Sequence, residues 1–374
     1  MVSMTGLTER LPHVAAFPDA LGTGMLLHTD AVLNDGIRDR IGTFIDTYES
    51  ALSRFRGDST VGRMRTAAHG GTFDFPEWCG PLFDLYDRLF DATDGAIDPC
   101  VGEDLIRLGY DAAYSFTVEP GAFGTDDDAT SNDTTGNTGN GGRLRDSGHL
   151  GALHGRATWR DDVERHGTTL ITHQPVALDF GACGKGYLVD LIAGMLEAAH
   201  AVPQPVQYVI DAGGDLLTHT NTPITIAMED PADPTRAVGA AELRSGAFCA
   251  SAPSRRHWGE AAGHQLHHLL NAIDGLPVDE VAATWVAVQI ESSQDDAGRK
   301  GNRAVRREVD WEAGLRNHDV PPAYSTALTD GLATALFTTP ANQLRAHFDF
   351  DCAILNTDRT AAQSAGFPGG FFTR

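Results

Sequence analysis

Residues 177–190 read Ala-Leu-Asp-Phe-Gly-Ala-Cys-Gly-Lys-Gly-Tyr-Leu-Val-Asp and carry the strongest structural signal in the chain. Their apolar start followed by glycines predicts a strand that runs into a tight turn and then a helix. Gly181, Gly184 and Gly186 would allow positive φ angles and close backbone approach. Amides at a helix start bind phosphate, and Lys185 adds a positive charge there. The stretch therefore predicts an anion-binding turn; the alternative is a tight turn with an exposed lysine.

The overall charge excludes some classes of partner. The chain has 374 residues and a net charge of −23, and Lys185 and Lys300 are its only lysines. An acidic surface repels the phosphates of nucleic acids and of anionic membranes. No stretch reaches the roughly 20 apolar residues that a membrane-spanning helix needs. We therefore expect no nucleic acid partner and no membrane insertion.

Cysteine use and the N-terminus indicate the compartment. The five cysteines form no C-x-x-C pair and their number is odd, so neither a disulfide framework nor a zinc site is expected. The first residues show no basic start followed by an apolar run, and they offer no cysteine for lipidation. The sequence predicts a cytoplasmic protein.

Helices and strands both occur in the sequence, but they do not alternate regularly. Helical spacing of apolar residues is found around 81–92, 186–199 and 326–338, and Ser325 is a plausible N-cap of the last helix. Strand candidates are 25–29, 207–211, 223–228, 239–244, 281–290 and 351–355. This pattern favours an α+β fold. Residues 125–148 are too polar to bury a core and predict a disordered insertion, and 292–308 predict a polar loop.

Two segments place carboxylates where a ligand or metal could bind. Residues 208–215 form an apolar strand that ends in Gly213-Gly214 between two aspartates. Asp330 and Thr334 share one helix face, and their oxygens are hard ligands suited to Mg²⁺. The alternatives are an ordinary turn at Gly213-Gly214 and a Thr334 hydroxyl bonded back to its own helix.

Two more segments contain candidate binding groups. Asp98-Pro99 follows a short apolar piece and predicts either a rigid binding loop or a plain turn. Ser251, Arg255 or Arg256, and His268 could face an anionic ligand. Zinc is not expected at the His267-His268 pair, because the chain has no H-E-x-x-H motif and no cysteine partners there.

The order of these segments resembles the FAD:protein FMN transferase family, often called ApbE. The similarity extends over about residues 20–370. It rests on Ala20-Leu-Gly-Thr23, Ser53-Arg-Phe-Arg-Gly-Asp-Ser59, Asp94-Gly-Ala-Ile-Asp-Pro99, Asp179-Phe-Gly-Ala-Cys-Gly-Lys-Gly-Tyr187, Asp211-Ala-Gly-Gly-Asp215 and Asp330-Gly-Leu-Ala-Thr334. The chain departs from the family pattern at Ala250, Asp211, Asn271-Ala272 and Thr329. The resemblance implies an ApbE-like (T-fold-like) α+β fold, with mixed sheets and packed helices in one large domain over residues 1–374.

The resemblance also implies roles for single residues. Mg²⁺ would be held by the main-chain carbonyl of Ala182 and by the side chains of Asp330 and Thr334. FAD would contact Asp179 and Lys185. The rest of the expected FAD-binding set is Ala96, Ile97, Asp98, Gly213, Gly214 and Ser251. His268 lies where the family has the histidine of H-I-I-D-P.

The implied reaction is a Mg²⁺-dependent transfer of FMN from FAD. The FMN phosphate would be attached to a Ser or Thr hydroxyl of an acceptor flavoprotein, and AMP would leave. His268 is the first candidate for the base because its unperturbed pKa lies near neutrality, and Lys185 would stabilise developing charge. Asp179 could be the base instead, or the metal could acidify the hydroxyl without a dedicated base.

Two other functions are compatible with the same residues. A Mg²⁺-dependent FAD pyrophosphatase would release FMN and AMP by using water in place of the protein hydroxyl. A flavin-binding protein without turnover is the non-enzymatic alternative. The Asp330 and Thr334 pair argues against it, since passive binding needs no metal.

Overall fold

Antiparallel strands form the framework of the protein. The computed structural model describes residues 4–124, 150–198, 207–290 and 324–373, so the predicted insertion at 125–148 and the predicted loop at 292–308 lie outside the described residues. The strands are β1 (His13–Phe17), β2 (Met25–Thr29), β3 (Gly71–Asp74), β4 (Glu164–His166), β5 (Thr169–Thr172), β6 (Tyr208–Asp211), β7 (Asp215–Asp230), β8 (Asp233–Ser251), β9 (His257–Ala261), β10 (His264–His267), β11 (Leu270–Asn271), β12 (Leu276–Pro277), β13 (Val281–Gln289), β14 (Asp351–Asn356), β15 (Ala361–Gln363) and β16 (Gly369–Phe371).

One large sheet dominates the described part of the chain. Its strand order is β1-β2-β6-β7-β8-β13-β14-β15, and β16 pairs with β8 as a ninth strand. Every pairing within it is antiparallel. The short strands form separate pairs, β9 with β10 and β11 with β12, and β3, β4 and β5 form a three-stranded sheet. The two long strands, β7 and β8, therefore bring the turn between them and their other ends close to loops that are distant in the sequence.

Helices pack on this sheet. They are α1 (Met4–Arg10), α2 (Asp35–Leu52), α3 (Thr60–Thr66), α4 (Gly80–Ala92), α5 (Gly102–Arg107), α6 (Trp159–Asp162), α7 (Gly184–Ala198), α8 (Ser325–Ala335) and α9 (Ala341–Leu344). Helices α7 and α8 contact each other, and α8 also contacts β8 and β13. Leu188, Leu191 and Ile192 of α7 are fully buried in the main hydrophobic core, as their spacing predicts. The α+β class is confirmed. No helix in the described ranges is long and apolar enough to cross a bilayer.

The start of α8 differs from the sequence expectation. Ser325 is the first helical residue, and Tyr324 occupies the N-cap position without a side-chain hydrogen bond. The carboxylate of Asp190, on α7, caps the helix instead: its two oxygens accept from the amides of Thr326 at 3.1 Å and Ala327 at 2.8 Å. A cap supplied by a neighbouring helix leaves no signature in the local sequence.

The strand predicted before the glycine turn is absent from the sheets of the described chain. Residues 175–180 are not paired in a strand, and the amide of Asp179 donates to the carbonyl of Pro99 at 2.7 Å. The three glycines also lack positive φ angles. Close approach requires glycine at one of them: a Cβ on Gly186 would lie 2.3 Å from the carbonyl oxygen of Thr326. Gly186 therefore sets how closely α7 approaches α8.

Substitution of this glycine is expected to separate the two helices. We expect Gly186→Ala to lower the free energy of unfolding by about 1–3 kcal/mol, because the new methyl group meets backbone atoms that cannot rotate away. Urea unfolding measures the loss. Gly42→Ala in α2 is the matched control, since nothing lies within 4 Å of its Cβ position, and it is expected to stabilise by about 0.5–1 kcal/mol. Equal effects of the two substitutions would contradict this account of the helix contact.

Candidate active site

A cleft of about 830 Å³ brings the predicted residues together. That volume is within the range of about 300–1,000 Å³ typical of small-molecule and cofactor sites. Eleven of the twelve predicted residues line it: Ala96, Ile97, Asp98, Asp179, Ala182, Lys185, Gly213, Gly214, Ser251, His268 and Thr334. The twelfth, Asp330, is 1% exposed and lies behind Lys185 rather than on the wall.

The floor of the cleft holds a lysine between two buried carboxylates, Asp215 and Asp330, which we call the acidic pair. The Lys185 Nζ lies 3.1 Å from Asp215 Oδ2 and 3.2 Å from Asp330 Oδ1. Burial lowers the pKa of Lys185, but the two carboxylates more than offset this and hold it above the usual range. Burial and the neighbouring Asp215 raise the pKa of Asp330 in spite of the lysine. At the floor of the cleft, two buried carboxylates therefore hold a positively charged group, the Lys185 ammonium.

The amides at the glycine turn already have partners. The Gly181 amide donates to Asp179 Oδ1 at 2.6 Å, and the Gly186 amide donates to Asp330 Oδ2 at 3.0 Å. The predicted binding of an external anion is therefore wrong for these two amides, because the protein's own carboxylates accept their hydrogen bonds. Lys185 keeps its predicted place at the start of α7, with 29% of its side chain exposed beside the cleft.

Arg54, which was not among the predicted site residues, pairs with Asp179. Arg54 is 6% exposed, and its Nε contacts Asp179 Oδ2 while its Nη1 donates to the carbonyl of Tyr110 at 2.7 Å. Its guanidinium also lies over the Phe55 ring at 4.1 Å from the centroid. Burial alone would raise the pKa of Asp179, but Arg54 reverses this and lowers it. Asp179 is therefore a carboxylate whose charge Arg54 stabilises. The only sequence signal was the position of Arg54 within the Ser53–Ser59 segment.

Asp98 points its carboxylate into the protein. Its Oδ1 accepts from the Cys100 amide at 2.7 Å, and both oxygens lie 3.2 Å from the Trp159 amide. Arg156 Nη1 lies 3.7 Å away. Burial raises the pKa of Asp98, and Arg156 opposes that rise. The loop therefore presents its backbone, with Ala96 and Ile97, to the cleft.

The Gly213-Gly214 turn joins β6 to β7 at the cleft wall. Both glycines have positive φ angles, +74° and +112°, which side chains disfavour. Asp211 Oδ1 fixes the turn by accepting from the amides of Gly213 at 2.9 Å and Gly214 at 3.2 Å. Asp215 follows directly and begins β7, so this turn also positions one carboxylate of the acidic pair.

His268 faces the cleft in its neutral form. Its Nδ1 lies 3.3 Å from the carbonyl oxygen of Arg256. Because a carbonyl only accepts, Nδ1 must carry the proton in this contact, and Nε2 keeps its lone pair. Burial, assisted by the positive charges of Arg256 and Lys185, lowers the pKa of His268 to about 3. The ring is therefore neutral across the physiological pH range.

The oxygen groups at the floor of the cleft have the chemistry of a divalent-metal site. Both carboxylate oxygens of Asp215 are buried and make no hydrogen bond within the described residues; their charge is met only by the ion pair with Lys185. The carbonyl oxygen of Ala182 lies 4.0 Å from the Cβ position of Gly331, next to Asp330 in α8. Among the described residues no group of three or more His, Cys, Asp and Glu side chains is placed for a metal. A carboxylate, a carbonyl and the Thr334 hydroxyl are hard oxygen donors that suit Mg²⁺, which also takes ligands from substrate phosphates.

Comparison with known proteins gives close agreement in fold and low identity in sequence. The FAD:protein FMN transferase of Escherichia coli K12 is 23% identical over 320 residues, covering 84% of this chain and 80% of the relative. The enzyme of that name from Klebsiella pneumoniae is 26% identical over 165 residues, covering 41% of this chain and 50% of the relative.

Solved structures share the whole fold. The ApbE protein of Thermotoga maritima has a TM-score of 0.66 at 18% identity, covering 94% of this chain and 97% of that chain. The apo flavinyl transferase ApbE of Pseudomonas stutzeri has a TM-score of 0.64 at 20% identity, covering 94% and 95%.

Fold and cleft together define an α+β protein with a cleft of about 830 Å³ above an acid–lysine–acid floor. The sequence profile of the ApbE family matches residues 21–297, about three quarters of the 374-residue chain. The chain belongs to the ApbE family.

Proposed function

We propose that this protein is a Mg²⁺-dependent FAD:protein FMN transferase that attaches FMN, through its phosphate, to a Ser or Thr hydroxyl of an acceptor protein. The observation that carries the proposal is the acid–lysine–acid floor, formed by Lys185 and the acidic pair, beneath a cleft of about 830 Å³. Family membership and the names of the relatives from E. coli and K. pneumoniae point to the same reaction.

The reaction would exchange the phosphoanhydride bond of FAD for a phosphoester bond to the acceptor. The acceptor hydroxyl attacks the FMN phosphorus of FAD, the bond to the bridging oxygen breaks, and AMP leaves with that oxygen. In phosphoryl transfer the protein mainly positions the groups and neutralises charge. Lys185 is suited to this because its ammonium lies at the floor of the cleft and stays protonated. Asp179 and the Gly213-Gly214 turn would hold FAD on either side of it.

Ala182, Asp330 and Thr334 would hold Mg²⁺. When bound there, Mg²⁺ would supply Lewis-acid stabilisation of charge on the pyrophosphate. Asp330 is oriented for this role by the amide of Gly186, which fixes one of its oxygens at 3.0 Å. Thr334 lies one helical turn further along α8 and reaches the cleft wall.

The hydroxyl proton would go to His268 Nε2. The hydrogen bond to the Arg256 carbonyl leaves Nε2 as the acceptor nitrogen, and the ring lines the cleft. Asp179 is the weaker choice because Arg54 already engages Oδ2 and the Gly181 amide engages Oδ1. Burial lowers the pKa of His268 to about 3, which makes it a weak base, because a general base is most effective when its pKa lies near the operating pH. The support for this role is therefore the free Nε2 in the cleft and not the near-neutral pKa expected from the sequence.

Intact-mass measurement tests the reaction. The protein is incubated with FAD, Mg²⁺ and candidate acceptor flavoproteins from the same cell, and we expect the acceptor to gain the mass of one FMN unit on Ser or Thr. FMN and AMP formed at the same rate without acceptor would show that the protein is a pyrophosphatase. Binding of FAD without AMP in either case would show that it is a flavin carrier.

The plot of kcat/KM for transfer against pH is expected to show no fall on the acid side that is due to protonation of His268. Because kcat/KM reports ionisations of the uncombined enzyme, and burial lowers the pKa of His268 to about 3, its base form is present throughout pH 5–8. We expect no acid limb from His268 in that interval. A limb near pH 6.5 in the wild type that disappears in His268→Gln would contradict the burial of this ring.

A further inference from the structure

The ammonium of Lys185 lies where the proposed metal site needs positive charge. It is 3.1 Å from Asp215 Oδ2, 3.2 Å and 3.3 Å from the two oxygens of Asp330, and 3.4 Å from the carbonyl oxygen of Gly181. Both carboxylates are 1% exposed. One lysine therefore lies between two buried acids, and its single charge can balance only one of them when both are ionised.

The two carboxylates depend on this lysine to different degrees. Asp330 has a second partner, because its Oδ2 accepts from the Gly186 amide at 3.0 Å. The carboxylate of Asp215 accepts no hydrogen bond from the described part of the chain, and among those residues the Lys185 ammonium is the positive group that pairs with it. Asp330 can therefore turn an oxygen to another cation at less cost than Asp215 can lose its lysine.

We propose that Lys185 and a divalent cation compete for the Asp330 carboxylate, and that Asp215 keeps Lys185 in the site once Asp330 has turned to the cation. The inference rests on the proposed function only for the identity of the cation, Mg²⁺. Two positive groups near one buried carboxylate repel each other strongly, because the low dielectric of the interior screens them little. Without substrate, Lys185 acts as the resident counter-ion and keeps Mg²⁺ binding weak.

Competition of this kind couples the metal to FAD. The pyrophosphate of FAD offers Lys185 a second anion beside Asp215, which releases Asp330 for the metal. Linkage is reciprocal, so FAD should tighten Mg²⁺ binding by the factor by which Mg²⁺ tightens FAD binding. Asp215 is in this account a positioning residue, which holds the lysine rather than the metal.

Calorimetric titration of the FAD-free protein with Mg²⁺ tests the competition. We expect Lys185→Met to bind Mg²⁺ about tenfold more tightly than the wild type, a factor typical of coupled sites. Lys185→Arg keeps the charge and should not tighten binding. Asp215→Asn should weaken it, because Lys185 then depends on Asp330 alone.

Arg56→Met is the matched control for loss of one positive charge at the cleft. Arg56 lines the same cleft but pairs with Asp46 at 2.7 Å and Asp58 at 3.2 Å, away from the acidic pair. We expect its Mg²⁺ affinity to stay at the wild-type value. Equal tightening in Arg56→Met and Lys185→Met would overturn the proposal, since it would reflect overall charge.

Melting temperature provides a second readout should Lys185→Met be poorly stable. Mg²⁺ is expected to raise the Tm of Lys185→Met more than that of the wild type, because it replaces the missing counter-ion. The proposal would be overturned if Lys185→Met had the wild-type affinity for Mg²⁺ and the wild-type Tm response to it. It would also be overturned if this variant bound no Mg²⁺ at all. FMN transfer to an acceptor is measured separately on the wild type, so failure of the transfer reaction and failure of the competition are distinguishable.

Discussion

Asp330→Asn is expected to lower kcat/KM for FMN transfer about thousandfold, equivalent to about 4 kcal/mol of transition-state stabilisation. The amide keeps the shape of the carboxylate and can still accept from Gly186, but it loses the charge that a metal requires. Asp330→Ala is expected to abolish transfer. The measurement is the rate of FMN incorporation into an acceptor at saturating Mg²⁺.

The same substitution should leave the fold intact. Burial and Asp215 raise the pKa of Asp330, so its charged form opposes folding, and a neutral residue removes that cost. We therefore expect the free energy of unfolding of Asp330→Asn not to fall at neutral pH. Asp91→Asn, at an exposed carboxylate of α4 that does not line the cleft, is the control for both readouts. Wild-type transfer by Asp330→Asn would refute the metal role of this residue.

Arg156→Met is expected to lower the free energy of unfolding by about 3–5 kcal/mol, the usual cost of leaving a buried charge without its partner. Arg156 is fully buried; its Nε lies 2.7 Å from Asp104 Oδ2 and its Nη1 lies 3.7 Å from Asp98 Oδ2. Its Nη2 also donates to the Ala272 carbonyl at 2.6 Å. The residue thus ties helix α5, the Asp98 loop and the turn at Ala272 together, and urea unfolding measures its contribution.

The loss of unfolding free energy in Arg156→Met is expected to depend on pH in a definite direction. Burial already raises the pKa of Asp104 to about 6, although Arg156 opposes the rise, and removing Arg156 raises it further. An acid whose pKa is raised in the folded state loses stability as the pH rises through that pKa. The deficit of Arg156→Met should therefore be larger at pH 8 than at pH 5. Arg160→Met, which removes an exposed pair with Asp91, should cost at most about 1 kcal/mol. Equal costs for the two arginines would contradict the account.

Local patterns in the sequence identified three of the helices and several of the cleft residues. Apolar residues at helical spacing gave α4, α7 and α8 to within a few residues, because period and burial are local properties. The same reading gave the strand before the glycine turn wrongly, since Leu178 and its neighbours are buried by packing rather than by strand pairing. It also missed α2, whose apolar stripe includes Ile37, Ile41 and Ile45.

Contacts between residues that are distant in the sequence were visible only in the tertiary structure. The sequence alone placed Lys185 on an anion-binding turn and Asp330 beside Thr334 on one helix face. It did not show that Lys185 and Asp330, 145 residues apart, form an ion pair, or that Arg54 engages Asp179 across 125 residues. Periodicity and motifs describe neighbours along the chain, whereas these contacts depend on how α7, α8 and the β6–β7 turn pack. Because of that packing, Lys185, which the sequence predicts to bind phosphate, is the counter-ion of the acidic pair.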